Sequence, residues 1–97
     1  MAWPTTLISI KKSEILDLGS TPSDYLEGVG WPDGIWVMVR VLEGQLTLET
    51  SAGQEALTRA VPGFVEPGDR AKVSGLSDNV RYFLEFFAEP SAKIEDF

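Results

Sequence analysis

The sequence contains no histidine and no cysteine. Imidazole and thiolate groups are the usual ligands of zinc and other transition metals, so metal centres of that kind are excluded. A Ser-His pair, a cysteine nucleophile and a disulfide bond are excluded for the same reason. We therefore expect no cofactor and no metal held by histidine or cysteine.

Basic residues are scarce as well, since 8 Lys and Arg stand against 15 Asp and Glu and the net charge is −7. Such a chain repels phosphate backbones and anionic lipid surfaces, so we expect neither nucleic acid nor membrane as a partner. No apolar run approaches the ~20 residues needed to span a bilayer. The segment Trp3-Pro4-Thr5-Thr6 interrupts any signal-peptide core. We expect a cytoplasmic protein.

The hydrophobic content is sufficient for one packed core. The chain has 97 residues, of which 43% are hydrophobic, including five Phe, three Trp and two Tyr. This size accommodates a single domain, which we place at residues 1–97. The polar segment at about residues 89–97 is expected to be a flexible tail.

Short β-prone runs alternate with Gly, Pro and Asp turns, a pattern typical of all-β sandwiches and barrels. The long irregular stretch at residues 20–34 has room for at most one short helical turn, with Thr21 as its cap and Pro22 at its first position. No longer amphipathic helix is predicted. The predicted strands are residues 5–10, 14–18, 35–43, 45–50, 55–61, 64–66, 70–74 and 80–87.

Two turn-rich segments and the last strand resemble the cupin family. These are residues 41–46 (VLEGQL), residues 62–69 (PGFVEPGD) and residues 80–87 (VRYFLEFF). Their order and spacing are similar to those of the small cupin domain at the N-terminus of the tellurite-resistance methyltransferase TehB and in stand-alone YeaR-like proteins. The resemblance spans residues 15 to 90 and implies a double-stranded β-helix, the cupin jelly-roll barrel.

The resemblance also implies a metal in the barrel mouth, but the positions that would bind it lack suitable ligands. The histidine pair of the first motif falls in residues 26–32, its glutamate falls on Val37, and the second-motif histidine falls on Ala71 or Lys72. We therefore expect a metal-free, apolar interior. An oxygen-only site for Mg²⁺ or Ca²⁺ remains an alternative. Its candidate ligands are Asp24, Glu27, Asp33, Glu66 and Asp69.

A small-molecule ligand is expected at the barrel mouth, where Tyr25 and Trp31 of the long loop form one wall and Tyr82 supplies a hydroxyl. The other role for the two loop aromatics, which their position in a long loop favours, is a lid packed on the core. The candidate ligand-binding residues are Tyr25, Trp31, Val37, Glu66, Ala71 and Tyr82.

The outward faces of the two longest predicted strands carry more apolar surface than a monomer normally exposes. We expect this surface to form a homodimer interface, with Arg40 and Glu85 as a charged pair within it. The alternative for that pair is an ordinary cross-strand ion pair. The candidate interface residues are Trp36, Met38, Arg40, Leu42, Phe83, Glu85 and Phe87.

These observations favour a non-enzymatic, metal-free binding or accessory domain, linked through the resemblance to a stress response of the tellurite-resistance type. No catalytic residues are assigned. One alternative is a metal-independent isomerase or lyase that uses Glu66 and Tyr82 as acid and base. The other is a structural protein–protein interaction module with a filled barrel.

Overall fold

A computed structural model describes residues 3–91 as a β-protein with one short helix, which confirms the predicted all-β class. The helix, α1, spans Ser23–Glu27. The strands are β1 (Ile8–Lys12), β2 (Leu16–Asp17), β3 (Val29–Gly30), β4 (Trp36–Glu43), β5 (Leu46–Thr50), β6 (Gly53–Leu57), β7 (Gly63–Val65), β8 (Arg70–Ser74) and β9 (Arg81–Ala88).

The strands form two antiparallel sheets. The five-stranded sheet has the order β1-β9-β4-β7, with β2 also paired to β9. The four-stranded sheet has the order β3-β8-β5-β6. Within residues 3–91, each pair of hydrogen-bonded strands belongs to one sheet or the other. The two sheets are therefore not joined into a continuous barrel.

The core lies between the two sheets, because alternate residues of each strand project toward the opposite sheet. In β4 the valines at positions 37, 39 and 41 are buried, whereas their neighbours are half-buried or exposed. Leu46 and Leu48 of β5 and Leu57 of β6 are buried from the other side. The core cluster consists of Leu16, Ile35, Val37, Val39, Val41, Leu46, Leu48, Leu57, Val65, Ala71, Val73, Val80, Tyr82, Leu84 and Phe86.

The pairing of β4 with β9 runs through the middle of the five-stranded sheet. It extends from Trp36 opposite Phe87 to Glu43 opposite Arg81, with a bulge after Val41. Both strands also have neighbours on their other edges, since β7 pairs with Val37–Val39 of β4, and β1 and β2 pair with parts of β9. The ladder therefore fixes which side chains face the core and which face outward.

The first predicted strand was placed too early in the chain. Lys11 and Lys12 were assigned to a turn, but both belong to β1, where Lys12 pairs with Glu85 after a bulge between Ser9 and Lys11. An acidic residue across the ladder makes a lysine favourable in an edge strand. The strand predicted at residues 55–61 is also displaced, since β6 begins at Gly53 and ends at Leu57. Beyond it, an isolated bridge joins Thr58 to Val61.

The helical turn forms, but Thr21 does not cap it. Pro22 occupies the N-cap position and α1 has no side-chain cap. The Thr21 hydroxyl instead donates to the backbone oxygen of Asp17 at 2.6 Å and lies 2.7 Å from the Tyr82 hydroxyl. Its hydrogen-bonding capacity is therefore used to hold the β2–α1 loop against β9.

Glu89, at the start of the predicted tail, contacts the N-terminal segment, because the Thr6 hydroxyl donates to its carboxylate at 2.5 Å. The rest of that prediction, residues 92–97, lies outside the described residues. Within residues 3–91, no helix is long and apolar enough to cross a membrane.

The turn between β4 and β5 depends on Gly44. Its φ of +73° lies in the left-handed region, and a Cβ at this position would lie 2.4 Å from Ser77 Oγ and 2.9 Å from Val80 Cα. Ser77 Oγ is itself used, because it accepts the backbone N–H of Gln45 at 3.0 Å. The turn is therefore closed by a glycine that has no room for a side chain.

Gly44→Ala should destabilise the protein by about 2–4 kcal/mol, because left-handed strain of ~1–2 kcal/mol is added to a steric overlap. Gly68→Ala is the matched control, since Gly68 has a φ of +84° but nothing lies within 4 Å of its virtual Cβ. This control should cost only ~1 kcal/mol. Urea denaturation measures both, and equal losses would show that crowding at Gly44 is unimportant.

Candidate functional site

The interior of the sandwich is nearly filled by side chains. The cavity at the expected barrel mouth has a volume of about 10 Å³, which is room for about one water molecule. Its lining is entirely apolar apart from the tyrosine side chain: Tyr25, Val29, Trp31, Val39, Leu48, Ala71, Val73 and Leu84. A small-molecule ligand does not fit in this cavity as it stands.

The residues at the positions expected to hold a metal do not fit that role. Val37 is fully buried and Ala71 is 4% exposed, and neither offers a lone pair to a cation. Lys72 is exposed on the outer side of β8. Among residues 3–91, no three acidic side chains converge on a potential cation site. We derive no chemistry that depends on a metal here.

Tyr82 is fully buried, and its hydroxyl is engaged by Thr21 rather than directed at a ligand. Burial raises the pKa of Tyr82, although the hydrogen bond with Thr21 opposes this effect. Burial and the charge of Asp24 likewise raise the pKa of Tyr25. Both phenols therefore remain protonated at neutral pH, and neither is prepared to act as a general base.

The six predicted ligand-binding residues do not form one site. Tyr25, Trp31 and Ala71 surround the small interior cavity, whereas Val37 and Tyr82 belong to the core. Glu66 is exposed in the turn before β8, where its backbone oxygen accepts the N–H of Asp69. Its carboxylate does not line the interior cavity.

Tyr25 and Trp31 pack against the core as the lid alternative expected. Their ring centroids lie 6.3 Å apart, and Trp31 lies 6.1 Å from Phe86. The outer sides of both rings line a surface groove of about 470 Å³ that also includes Lys12 and Glu14. Since charges of both signs border this groove, it has no clear preference for a charged ligand.

A larger groove of about 560 Å³ lies where β6 and β7, the edge strands of the two sheets, face one another. We call it the β6–β7 groove. Its volume is within the range of small-molecule sites. The lining consists of Trp3, Leu48, Thr50, Ala52, Gly53, Gln54, Glu55 and Phe64.

Glu55 occupies a core-facing position of β6. It lies directly opposite Leu48 across the β5–β6 ladder, and cross-strand partners project from the same face of a sheet. It is also two residues from Leu57, which is fully buried. Glu55 nevertheless stays exposed, because the groove leaves this end of the inner face open.

Trp3 closes one side of the groove and joins an aromatic cluster with Trp36, Phe64 and Phe87. Its ring centroid lies 5.3 Å from Trp36, 4.9 Å from Phe64 and 5.8 Å from Phe87, all in edge-to-face geometry. Such pairs contribute ~0.5–1.5 kcal/mol beyond their buried area. Trp3 Nε1 is buried and has no hydrogen-bond partner among residues 3–91.

The aromatic cluster covers part of the surface that we predicted to be a dimer interface. Trp36 and Phe87 are half-buried beneath Trp3, whereas Leu42 is 38% and Phe64 is 43% exposed. Arg40 Nε lies 3.4 Å from Glu85 Oε1, and Ser9 donates to Glu85 Oε2 at 2.7 Å. Met38 and Phe83 are half-buried on the same face.

Two solved structures resemble this chain over most of its length. A protein from Escherichia coli strain K12 superposes with a TM-score of 0.83 at 14% identity, covering 94% of this chain and 99% of its own. TehB from Haemophilus influenzae gives a TM-score of 0.78 at 25% identity, covering 88% of this chain. The three share one small fold.

This chain spans the whole length of the Escherichia coli protein but only 32% of the TehB chain. No family model matches the sequence, and no curated protein does. The likeness therefore establishes the fold, but it does not establish membership of the cupin family.

The β6–β7 groove escaped the sequence analysis because its walls come from distant parts of the chain. Trp3 was considered only as an interruption of a signal peptide, and Glu55 as the start of a weak strand. The alternation of Glu55 with Leu57 is a signal that could have placed the carboxylate on the inner face, had the strand been positioned correctly. No local pattern indicates that Trp3 reaches Phe64.

Trp3→Ala should lower the free energy of unfolding by about 1–3 kcal/mol, because the aromatic cluster loses its shared ring. Trp3→Phe should change it by less than about 1 kcal/mol, since loss of the unpaired indole N–H offsets the smaller ring. Urea denaturation compares the two. Wild-type stability in Trp3→Ala would contradict the packing of Trp3 on this face.

Proposed function

We propose that this chain is a cupin-like domain with a double-stranded β-helix fold, acting as a metal-free, non-enzymatic binding or accessory domain. The strand order supports the fold assignment. From β2 to β9 each successive strand lies in the other sheet, except that β5 and β6 are neighbours in the same sheet, as in a jelly roll built from two Greek keys. The order of the turn motifs in the sequence supports the family assignment.

The observation that carries this proposal is the contrast between a filled interior and an open edge. The interior cavity of about 10 Å³ has no space for a ligand, whereas the β6–β7 groove offers about 560 Å³. Because the groove combines aromatic, aliphatic and polar lining, it has the character of a small-molecule site. We place ligand binding there rather than in the barrel mouth.

An accessory role is supported by the two structural neighbours. The same fold accounts for nearly all of one chain and for about a third of another. A domain that occurs alone and within a longer chain is suited to serve a second domain. The link to a stress response of the tellurite-resistance type is an analogy at the level of fold and sequence motif.

The enzymatic alternative has less support. An isomerase or lyase of the proposed kind needs a carboxylate and a tyrosine that converge on one pocket. Glu66 lies exposed in a turn, while Tyr82 is buried beside Thr21. The two groups have no shared pocket in which to exchange protons with a substrate.

A homodimer or interaction module remains the second candidate, supported by the filled interior and by apolar residues exposed on the five-stranded sheet. On the outer face of this sheet Leu42 is 38% and Phe64 is 43% exposed, and the same face carries the half-buried Met38 and Phe83. A second copy would cover this face and remove its apolar surface from water.

Ligand binding in the β6–β7 groove is tested with benzyl alcohol as a neutral aromatic probe. Titration into ¹⁵N-labelled protein should shift the amide resonances of Gly53, Glu55 and Phe64, and leave those of Val29 and Ala71 unchanged. Treatment with EDTA should not alter the response. Shifts confined to the interior cavity, or none at all, would contradict the proposed site.

Two tryptophan substitutions provide the control. Thr50→Trp fills the groove from the inner face of β5 and should abolish the shifts. Ala56→Trp adds the same ring on the outer, exposed face of β6 and should leave them intact. Equal effects of the two variants would indicate binding elsewhere.

The dimer is tested by Leu42→Lys, which places a charge on the outer face and should increase the dimer dissociation constant by at least about tenfold. Ile15→Lys is the control, because Ile15 is 52% exposed and lies between β1 and β2. Sedimentation equilibrium measures the mass of each variant. A wild-type protein that is monomeric at high concentration would exclude the dimer.

A further inference from the structure

The β6–β7 groove has a distinctive charge pattern. Among the eight lining residues that the structure describes, Glu55 is the one carboxylate and none is basic. Glu49 lies one strand away and is held by a hydrogen bond of 3.0 Å from Gln54 Nε2. Because the whole chain carries a charge of −7, the surrounding field favours a cation.

The position of Glu55 is unusual for a charged residue. Three inner-face positions of β5 and β6 are occupied by Leu46, Leu48 and Leu57, all of them buried. The remaining two are the uncharged Thr50 and Gly53 at the open end of the groove. Among residues 3–91, no hydrogen bond or ion pair to the Glu55 side chain is found. Its carboxylate is therefore available to a group that enters the groove.

The other walls of the groove suit the apolar part of a ligand. Leu48 provides an aliphatic floor, and the rings of Trp3 and Phe64 stand beside it. Aromatic rings attract a cation within ~6 Å of their centroids, while also contacting hydrocarbon. A carboxylate and aromatic rings in one groove are complementary to an ammonium group joined to an apolar body.

We infer that the β6–β7 groove binds a small organic cation, whose ammonium group pairs with Glu55 and whose aromatic or branched aliphatic part contacts Trp3, Phe64 and Leu48. This inference rests on the proposed binding function and adds the chemical class of the ligand. The competing explanation is that Glu55 protects the β6 edge from pairing with another chain, because inward-pointing charges discourage such pairing.

The inference is tested by comparing benzylamine, a cation at neutral pH, with benzyl alcohol, its neutral counterpart of similar shape. Dissociation constants come from NMR titration at low and high NaCl concentration. At low salt, benzylamine should bind about fivefold more tightly than benzyl alcohol. The added affinity comes from a partly exposed ion pair together with a cation–π contact. High salt should reduce this preference.

Glu55→Gln should make the two probes bind within about twofold of each other, while the affinity for benzyl alcohol is retained. Glu66→Gln removes the same charge from an exposed turn outside the groove and should keep the preference of the wild type. If both variants lose the preference for benzylamine over benzyl alcohol, the inference is overturned. The preference would then come from general attraction of a cation to an acidic protein.

The remaining outcomes separate this inference from the proposed function. If benzyl alcohol shifts the groove resonances and benzylamine binds no better, the cation is excluded while the groove remains a binding site. If neither probe shifts these resonances, both proposals fail. If Glu55→Gln self-associates in light scattering and its probe preference is unchanged, the carboxylate protects the sheet edge and the inference is overturned.

Discussion

The pairing of β4 with β9 is the constraint on which the rest of the structure depends. These are the two longest strands, and they lie side by side in the middle of the five-stranded sheet. Both are mostly apolar on both faces, apart from charged residues such as the outward-facing pair Arg40 and Glu85, as expected for strands that are largely covered on both sides. Their inner residues provide six of the fifteen members of the core cluster found in residues 3–91, and their outer residues need to be covered from the other side.

The outer side chains of β4 and β9 are partly covered by the N-terminal segment. Trp3 packs over Trp36 and Phe87 where the two strands begin and end, and it reaches Phe64 at the sheet edge. The same ring then forms a wall of the β6–β7 groove. The groove is therefore a consequence of how the outer face is covered, because the covering residue extends past β7 toward the opposite sheet.

Because the interior is filled by side chains, a ligand would have to bind at the edges of the sandwich. Val39, Leu48 and Leu84 meet across the position where a barrel of this kind would be hollow, leaving about 10 Å³. Valine and leucine pack densely and exclude water, so such an interior gains stability and loses the capacity to hold a ligand. Open space of ligand size lies at the β6–β7 edge, where the two sheets separate.

Sequence reasoning was effective where a pattern is local and repeated. Because the sequence pattern places Trp36, Met38, Arg40 and Leu42 on the outer face, it implies that the alternating valines of β4 face inward, and the structure buries all three. It was less effective for β1, because the partner that accommodates Lys12 is Glu85, more than seventy residues away. It could not find the aromatic cluster, since nothing in the sequence near Trp3 specifies Phe64 as a neighbour.

The position of Glu55 shows why the candidate site required the structure. Read from the sequence, a glutamate at the start of a weak strand is an ordinary surface residue. The face on which Glu55 lies depends on the register of β6 with β5. A shift of one residue would turn Glu55 outward and bring Gln54 or Ala56 inward. The register is fixed by Leu57, which the core holds fully buried. Burial of one leucine thus directs a carboxylate two residues away into the groove, and the electrostatic character of the groove follows from the packing of the core.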